Sequence, residues 1–445
     1  MMDVDVVVIG AGAAGIAAAR AVLAGSRTVQ VLEAMDRVGG RAYTDMSMPI
    51  PFDHGAQFFA QAQSLNTELY PIAVQAGVPM IAAETIPRSF YDPDDPAEIA
   101  DGTLMYSSYA AINASLLEKG LAIAGGEPDV SVRAAVDAAG LTDLPYRKLV
   151  LQFLSTVLVG REPEDESAHD LFNFAQFSPA PFLYPPRDSN YAPQGLGAFV
   201  GSLAEGLPIT LSTPVASVAH DASGVTVTAN DGDVIRARAA VVTVSTGAIS
   251  GITFHPHLPT AYRDAFGDLP MGNAYKAILG FDGRPFDGRL GTQPGKMNNV
   301  IPLVDAPTPA YSVNYFAEQF PDAAPHVVIT CEAEIADAYE AMGPDMAALD
   351  ILARLEVPFP GITGMWNGEI RASSWRTNPY TCGAMSSAAP GKAASRALLS
   401  RPIGNRLWFA GEAVSVRSHS LVHGAWATGA VAGAGAARAA AALSP

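Results

Sequence analysis

The chain has 445 residues, 49% hydrophobic and 16% charged, which is enough for two domains with buried cores and excludes a disordered chain despite 41 Gly and 34 Pro. The formal net charge is −17 and no run of Lys or Arg occurs, which disfavours a nucleic-acid partner and gives weak support for a cationic ligand. Cys331 and Cys382 are too few for a disulfide framework or a cysteine-ligated zinc, and no apolar run is long enough to span a bilayer.

Val4, Val6, Val7, Val8 and Ile9 predict a short buried strand that stops at Gly10. No basic segment precedes it in the manner of a signal peptide, and the Ala/Gly-rich tail is interrupted by Arg438. A soluble cytoplasmic protein is the simplest expectation. GAGAAG follows, with Gly10, Gly12 and Gly15 in G-x-G-x-x-G spacing and Ala13 and Ala14 between them, then the helix former IAAARAVLA. A second strand, TVQVLEA, ends at Glu33 and Ala34. In such a βαβ unit one glycine makes the tight turn, one admits a pyrophosphate, and one lets helix and strand approach. The helix N-terminus offers free N–H groups to phosphates, and Glu33 is placed to accept from ribose hydroxyls. The glycine clusters GLGAFVG and AGAGAA lack a flanking strand and acid and read as a turn and a tightly packed helix.

After Glu33, AMDRVGGRAYT places Arg37, Gly39, Gly40 and Arg41 where a further turn would pass the pyrophosphate. Two glycines permit close approach, and Arg41 offers a fork of donors. Nothing elsewhere reads as a second nucleotide fold for NAD(P)H. Residues 63–191 read mostly as helices and loops, with a turn cluster YDPDDP and an aromatic-rich segment holding Phe174, Phe177 and Tyr184. From about 192 a turn and helix lead into three or four short strands punctuated by DASG and NDGD. Further strands follow at KAILGFD and HVVITCEA, with a helix around 344–356. The segment SSWRTNPYTCGAMSSAAPG comes next, then a strand RLWFAGE running to Gly411 and Glu412, and a final helix from about Gly424.

This order of motifs resembles the flavin-containing amine oxidase family, the monoamine and polyamine oxidase group, along nearly the whole chain. The matching pieces are the glycine fingerprint with Glu33, RVGGR at 37–41, FDHGAQFF at 52–59, TPVASV at 213–218 and LPMGNAYKAILGF at 269–281. They continue with W-x-x-x-P-Y-x-x-G-A-x-S at 375–386, FAGE at 409–412 and VHGAWATG at 422–429. The resemblance implies an α/β fold: a Rossmann-like FAD-binding domain with an inserted α+β substrate domain, the two-domain amine oxidase and p-hydroxybenzoate hydroxylase-like architecture. The FAD domain would comprise 1–66, 192–266 and 379–445, and the substrate domain 67–191 and 267–378.

Carried over by residue, the resemblance implies that Gly10, Gly12, Ala13, Ala14 and Gly15 hold the pyrophosphate, with Arg37, Gly39, Gly40 and Arg41 beside it. Glu33 and Ala34 would meet the adenosine ribose and Val215 the adenine. Trp375 and Val422 would lie near the flavin ring and Glu412 near the ribityl–phosphate end, with Gly55, Ala56, Gln57, Gly411 and Leu421 also binding the cofactor. Lys276 is the catalytic candidate: a lone strand lysine is ordinarily solvated, but its setting matches the family lysine that holds a water beside the flavin. The implied reaction removes a hydride next to an amine nitrogen, giving an imine that hydrolyses, with oxygen reduced to hydrogen peroxide.

Two departures stand out. Where many relatives place two aromatic residues facing the flavin, this chain has Met385 and Leu421. Where L-amino acid oxidases carry an arginine, it has Phe58, which argues against an α-amino acid substrate. Phe174, Phe177 and Tyr184 are pocket candidates, although core packing is the plainer reading for them. His423 is expected near the flavin edge; with His419 it lacks the Glu of H-E-x-x-H, so no metal site is expected. Relatives with covalent flavin have a cysteine where Ala384 stands, so non-covalent FAD is expected and Cys382 reads as a bystander. A flavin-dependent desaturase or porphyrinogen-type oxidase, a non-catalytic flavoprotein, and a homodimer all remain open at this level.

Overall fold

The computed structural model describes residues 2–60, 62, 65–82, 89–92, 95–101, 103–145, 147–151, 155–175, 189–285, 298–300, 312–315, 325–357 and 359–442. Strand β1 (Val4–Ile9), helix α1 (Ala13–Ala24) and strand β2 (Val29–Leu32) form the first unit, β1 and β2 parallel with Val6 opposite Val29 and Ile9 opposite Leu32. The β-branched residues of β1 are covered on both faces, as a near-continuous apolar run in a parallel sheet requires. Val7 and Ile9 enter one core, while Val6 and Val8 enter the other beneath α1.

These strands belong to an eight-stranded sheet in the order Ile209–Thr210, β2, β1, Val234–Val242, Val225–Ala229, Val215–His220 and Thr253–His255, with Leu407–Phe409 also pairing Val234–Val242. The DASG and NDGD segments thus turn the chain between adjacent antiparallel strands. The last helix, Val422–Ala442, packs along α1. Its glycines allow backbone contact there: a Cβ on Gly429 would stand 2.1 Å from Ala14 O, and one on Gly433 would stand 2.3 Å from Ala18 O.

A second sheet of five antiparallel strands runs in the order Asn298–Val300, Ser312–Tyr315, His326–Glu332, Ala274–Phe281 and Trp366–Ala372. Tyr275, Leu279, Phe281, Val327, Ile329 and Cys331 form one face, packed against the helices Ala333–Met342, Pro344–Leu355 and Thr103–Ala124. The opposite face carries Lys276 and Ile278 with Val328, the last two meeting Met48, Ile50 and Phe52.

Within 63–191 the structure adds strands to the expected helices and loops. Ser89–Asp92 and Asp95–Asp101 pair antiparallel. The final helix begins two residues before the expected Gly424, at Val422, which leaves His419 ahead of it. His419 and His423 therefore do not share a helical face. No described helix is long and apolar enough to cross a membrane.

Candidate active site

One cavity of about 610 Å³ runs from the carboxyl ends of β1 and β2 to the second sheet. At its first end lie Gly10, Gly12, Ala13 and Ala14, with Glu33 and Ala34 at the end of β2. The N-cap of α1 is Gly12, which has no side chain to satisfy the first helical amides, so they open toward the cavity. A Cβ on Gly12 would meet nothing nearer than Gly39 O at 3.8 Å, whereas one on Gly15 would sit 1.8 Å from Gly10 O. Gly12 therefore leaves room for a ligand, and Gly15, which does not line the cavity, permits the crossing of helix and strand.

Glu33 is buried and accepts from Ala11 N at 2.6 Å and Met35 N at 2.9 Å. Burial raises its carboxyl above the ordinary range against the pull of those two bonds. Val215, Thr213 and Asn230 close this end. Bare amides, a fixed acid and a slot without side chains fit the pyrophosphate and adenosine ribose of a dinucleotide.

Gly39, Gly40 and Arg41 form the next wall. Arg37 does not reach the cavity; it donates to Gly40 O at 2.9 Å and lies 3.9 Å over the Tyr43 ring, bracing the turn. Arg41 donates to Ala384 O at 3.0 Å and to Glu412 Oε1 at 2.8 Å. Glu412 also accepts from Ser386 Oγ at 2.7 Å and Ser420 N at 2.9 Å. Burial works against its charge, but Arg41 and Arg396 hold its carboxyl below the ordinary range.

Beyond lie Gly55, Ala56, Gln57 and Phe58, facing Trp375, Met385, Gly411, Leu421 and Val422. Trp375 Nε1 donates to His54 O at 3.1 Å. Lys276 is buried and donates to Gly55 O at 2.7 Å, Gln57 Oε1 at 2.9 Å and Asp53 O at 3.4 Å. Burial lowers its ammonium to about 8, with Asp53 and Glu332 opposing. The far wall is Tyr109, Leu158, Phe174 and Ser189. Phe174 lines the cavity and touches the His419 ring, centroids 5.2 Å apart.

His423 is a correction to the expected pocket. It is buried in the final helix and does not line the cavity, because Leu421 and Val422 take that wall. Burial takes its imidazole down to about 4. Phe177 and Tyr184 lie outside the described residues. Cys382 lies in the turn beside the site, with φ 52°, and does not line it. No cluster of His, Cys, Asp and Glu among the described residues could hold a metal.

Sequence reading misses Glu332, which faces the cavity with Thr330 and Ala274 and whose carboxyl burial pushes up to about 8 against the pull of Lys276. Alternation within its own strand puts Glu332 on the face of Thr330, but only the pairing register puts that face beside Lys276. It also misses a fully buried cluster. Arg396 grips Asp170 through two bonds of 2.8 Å and donates to Ser386 Oγ at 2.9 Å and Ala413 O at 3.0 Å. This ties the helix carrying Phe174 to the segment that positions Glu412.

A sequence profile of the family described as flavin containing amine oxidoreductase matches residues 13–91 and 131–434. Polyamine oxidase 4 of Oryza sativa subsp. japonica is 28% identical over 442 residues, covering 96% of this chain and 87% of that protein. Lysine-specific histone demethylase 1 homolog 3 of the same plant is 26% identical, covering 95% of this chain and 53% of its own length. Among solved structures, a double mutant of putrescine oxidase from a redesign of cofactor binding superposes with a TM-score of 0.78 at 20% identity, covering 99% of each chain. Cyclohexylamine oxidase from Brevibacterium oxydans gives 0.74 at 22% identity, covering 99% of this chain and 98% of its own. These likenesses do not favour a desaturase or porphyrinogen oxidase. The chain belongs to the flavin-containing amine oxidoreductase family.

Proposed function

We propose that this FAD-dependent amine oxidase converts a primary or secondary amine to an imine, which water hydrolyses to a carbonyl, and that oxygen is its acceptor, leaving as hydrogen peroxide. The observation that carries this reading is the continuity of the cavity. The dinucleotide cradle at Gly12, Ala13, Glu33 and Arg41 opens directly onto the apolar chamber that holds Lys276 and Glu332.

The bound flavin supplies a two-electron acceptor for the C–H bond next to nitrogen. The protein's part is to bind, orient and keep water out. Gly12, Ala13 and Ala14 take the pyrophosphate, Glu33 the ribose, and the free donors of Arg41 a phosphate oxygen. Trp375, Leu421 and Val422 pack about the ring, and Glu412 holds Arg41 in place. Lys276, fixed by Gly55 and Gln57, presents its amine beside the reacting edge and holds a water there. Met385, Phe58, Tyr109 and Phe174 wall the amine. Residues 1–66, 192–266 and 379–445 then act as the FAD half, and 67–191 and 267–378 as the substrate half. The division of strands between the two sheets supports this.

With Ala384 at the position where covalent relatives have cysteine, the FAD is held without a covalent bond. Acid precipitation should leave the yellow colour in the supernatant; colour retained in the pellet would contradict this. Activity is tested with butylamine, benzylamine, diaminobutane and spermidine in an oxygen electrode coupled to peroxide detection. Oxygen uptake matched by peroxide with at least one amine is expected. Uptake with none would refute the reading.

A further inference from the structure

The strands Ala274–Phe281 and His326–Glu332 run antiparallel with Ala274 opposite Glu332 and Lys276 opposite Thr330. Residues opposed in such a pair share a face, and all four line the cavity. Tyr275 and Cys331, between them, turn into the opposite core. Just ahead of Ala274, Gly272 pairs in a separate two-stranded sheet with Met385, which also lines the cavity. Glu332 therefore lies one alternation from the level of Lys276, about 7 Å along the strand direction.

Glu332 is 6% exposed. It occupies the N-cap position of the helix Ala333–Met342, yet its side chain makes no cap bond. The chain leaves it through Ala333 at φ 55°, in the left-handed region, and the carboxylate lines the cavity. Among the described residues it accepts no hydrogen bond, and only the charge of Lys276 acts on it. A buried carboxylate without a partner is costly. In a chamber that takes amines, the group able to satisfy it is the substrate's own ammonium.

We propose that Glu332 receives the ammonium at the nitrogen to be oxidised and takes its proton, so that the amine reacts as the neutral base. This rests on the function proposed above. An N–H bond of the ammonium breaks, its electron pair stays on nitrogen as the lone pair, and an O–H bond forms at a Glu332 oxygen. Nothing is oxidised in this step. Ammonium beside carboxylate and amine beside carboxylic acid hold the same protons, and a medium that penalises charge favours the second. Burial acts on Glu332 in that sense, with Lys276 opposing, and places the carboxyl near 8. Asp53 faces Lys276 rather than Glu332, and Cys331 is turned to the core.

The test is anaerobic stopped-flow reduction of the FAD-loaded enzyme by the most active of the four amines, from about pH 6 to about pH 10, in wild type, Glu332→Gln and Glu332→Asp. In wild type the apparent second-order rate should rise to about pH 8 and then level off. Glu332→Gln should be about 100-fold slower near neutral pH, and its rate should keep rising toward the amine's own pKa of about 10. Glu332→Asp should restore the lower break in part. A Glu332→Gln enzyme that keeps the break near 8 assigns it to Lys276 and overturns the proposal. A loss seen with diaminobutane but not butylamine makes Glu332 a receptor for a distant nitrogen and also overturns it. Tert-butylamine, which has no α-hydrogen to lose, reports binding through the flavin absorbance and should bind about tenfold more weakly to Glu332→Gln; equal affinity contradicts the ion pair. Wild-type flavin bleached by none of the four amines defeats the proposed function itself, an outcome distinct from a selective failure of the variants.

Discussion

Lys276 Nζ lies 2.9 Å from Gln57 Oε1 and 2.7 Å from Gly55 O, joining the second sheet to the loop that precedes Phe58. The lysine is thus a fixed group, held by these two short bonds with Asp53 O only at 3.4 Å, and not a solvated side chain. Lys276→Met should keep the fold and the yellow colour while lowering turnover by about 100-fold. Lys276→Arg should not restore it, because a planar guanidinium cannot reproduce these bonds in the same space. Steady-state oxygen uptake checks both.

Gly12 and Gly15 separate cofactor binding from folding. Gly12→Ala adds a methyl group with no protein atom nearer than 3.8 Å, so the melting temperature of the apoprotein should hold while FAD retention on gel filtration falls. Gly15→Ala drives a Cβ to 1.8 Å from Gly10 O and should lower both stability and FAD content. If Gly12→Ala retains full FAD, the pyrophosphate does not lie where it is assigned.

Asp170 is fully buried against Arg396, and although burial opposes its charge, Arg396 and His419 hold its carboxyl far below the ordinary range. A depressed carboxylate contributes stability above its unfolded pKa, and that stability is lost as pH falls through the folded value. Asp170→Asn strands a buried guanidinium and should cost about 3–5 kcal/mol in urea unfolding at neutral pH. The difference from wild type should shrink as the solution is acidified below about pH 4.

Glu332 behaves in the opposite sense. Its carboxyl is raised from 4.5 to about 8, so its contribution is fully present below 4.5 and is lost as pH rises to about 8. Relative to Glu332→Gln, wild type should lose stability across that window, with a slope of up to about 1.4 kcal/mol per pH unit. Parallel melting curves at each pH would place the carboxyl in its ordinary range.

The motif-bearing segments were legible because their chemistry is local. Gly10 to Glu33 is a contiguous strand, turn, helix and strand, and RVGGR follows directly. Lys276 was readable from its neighbours in sequence. Glu332 was not, because its meaning comes from register: it matters through lying opposite Ala274 on the face of Lys276. Arg396 and Asp170 stand 226 residues apart and pair only once the two halves are packed. The resemblance to polyamine oxidases puts His423 near the flavin edge, but the helix starting at Val422 turns it into the interior instead.

The most direct measurement is an anaerobic titration of the purified yellow protein with the four amines, following the flavin absorbance band. Loss of the band with at least one amine, and its return when oxygen is admitted, is the expected result. A band unchanged by every amine, in protein whose FAD is fully bound, would contradict amine oxidation at this cavity.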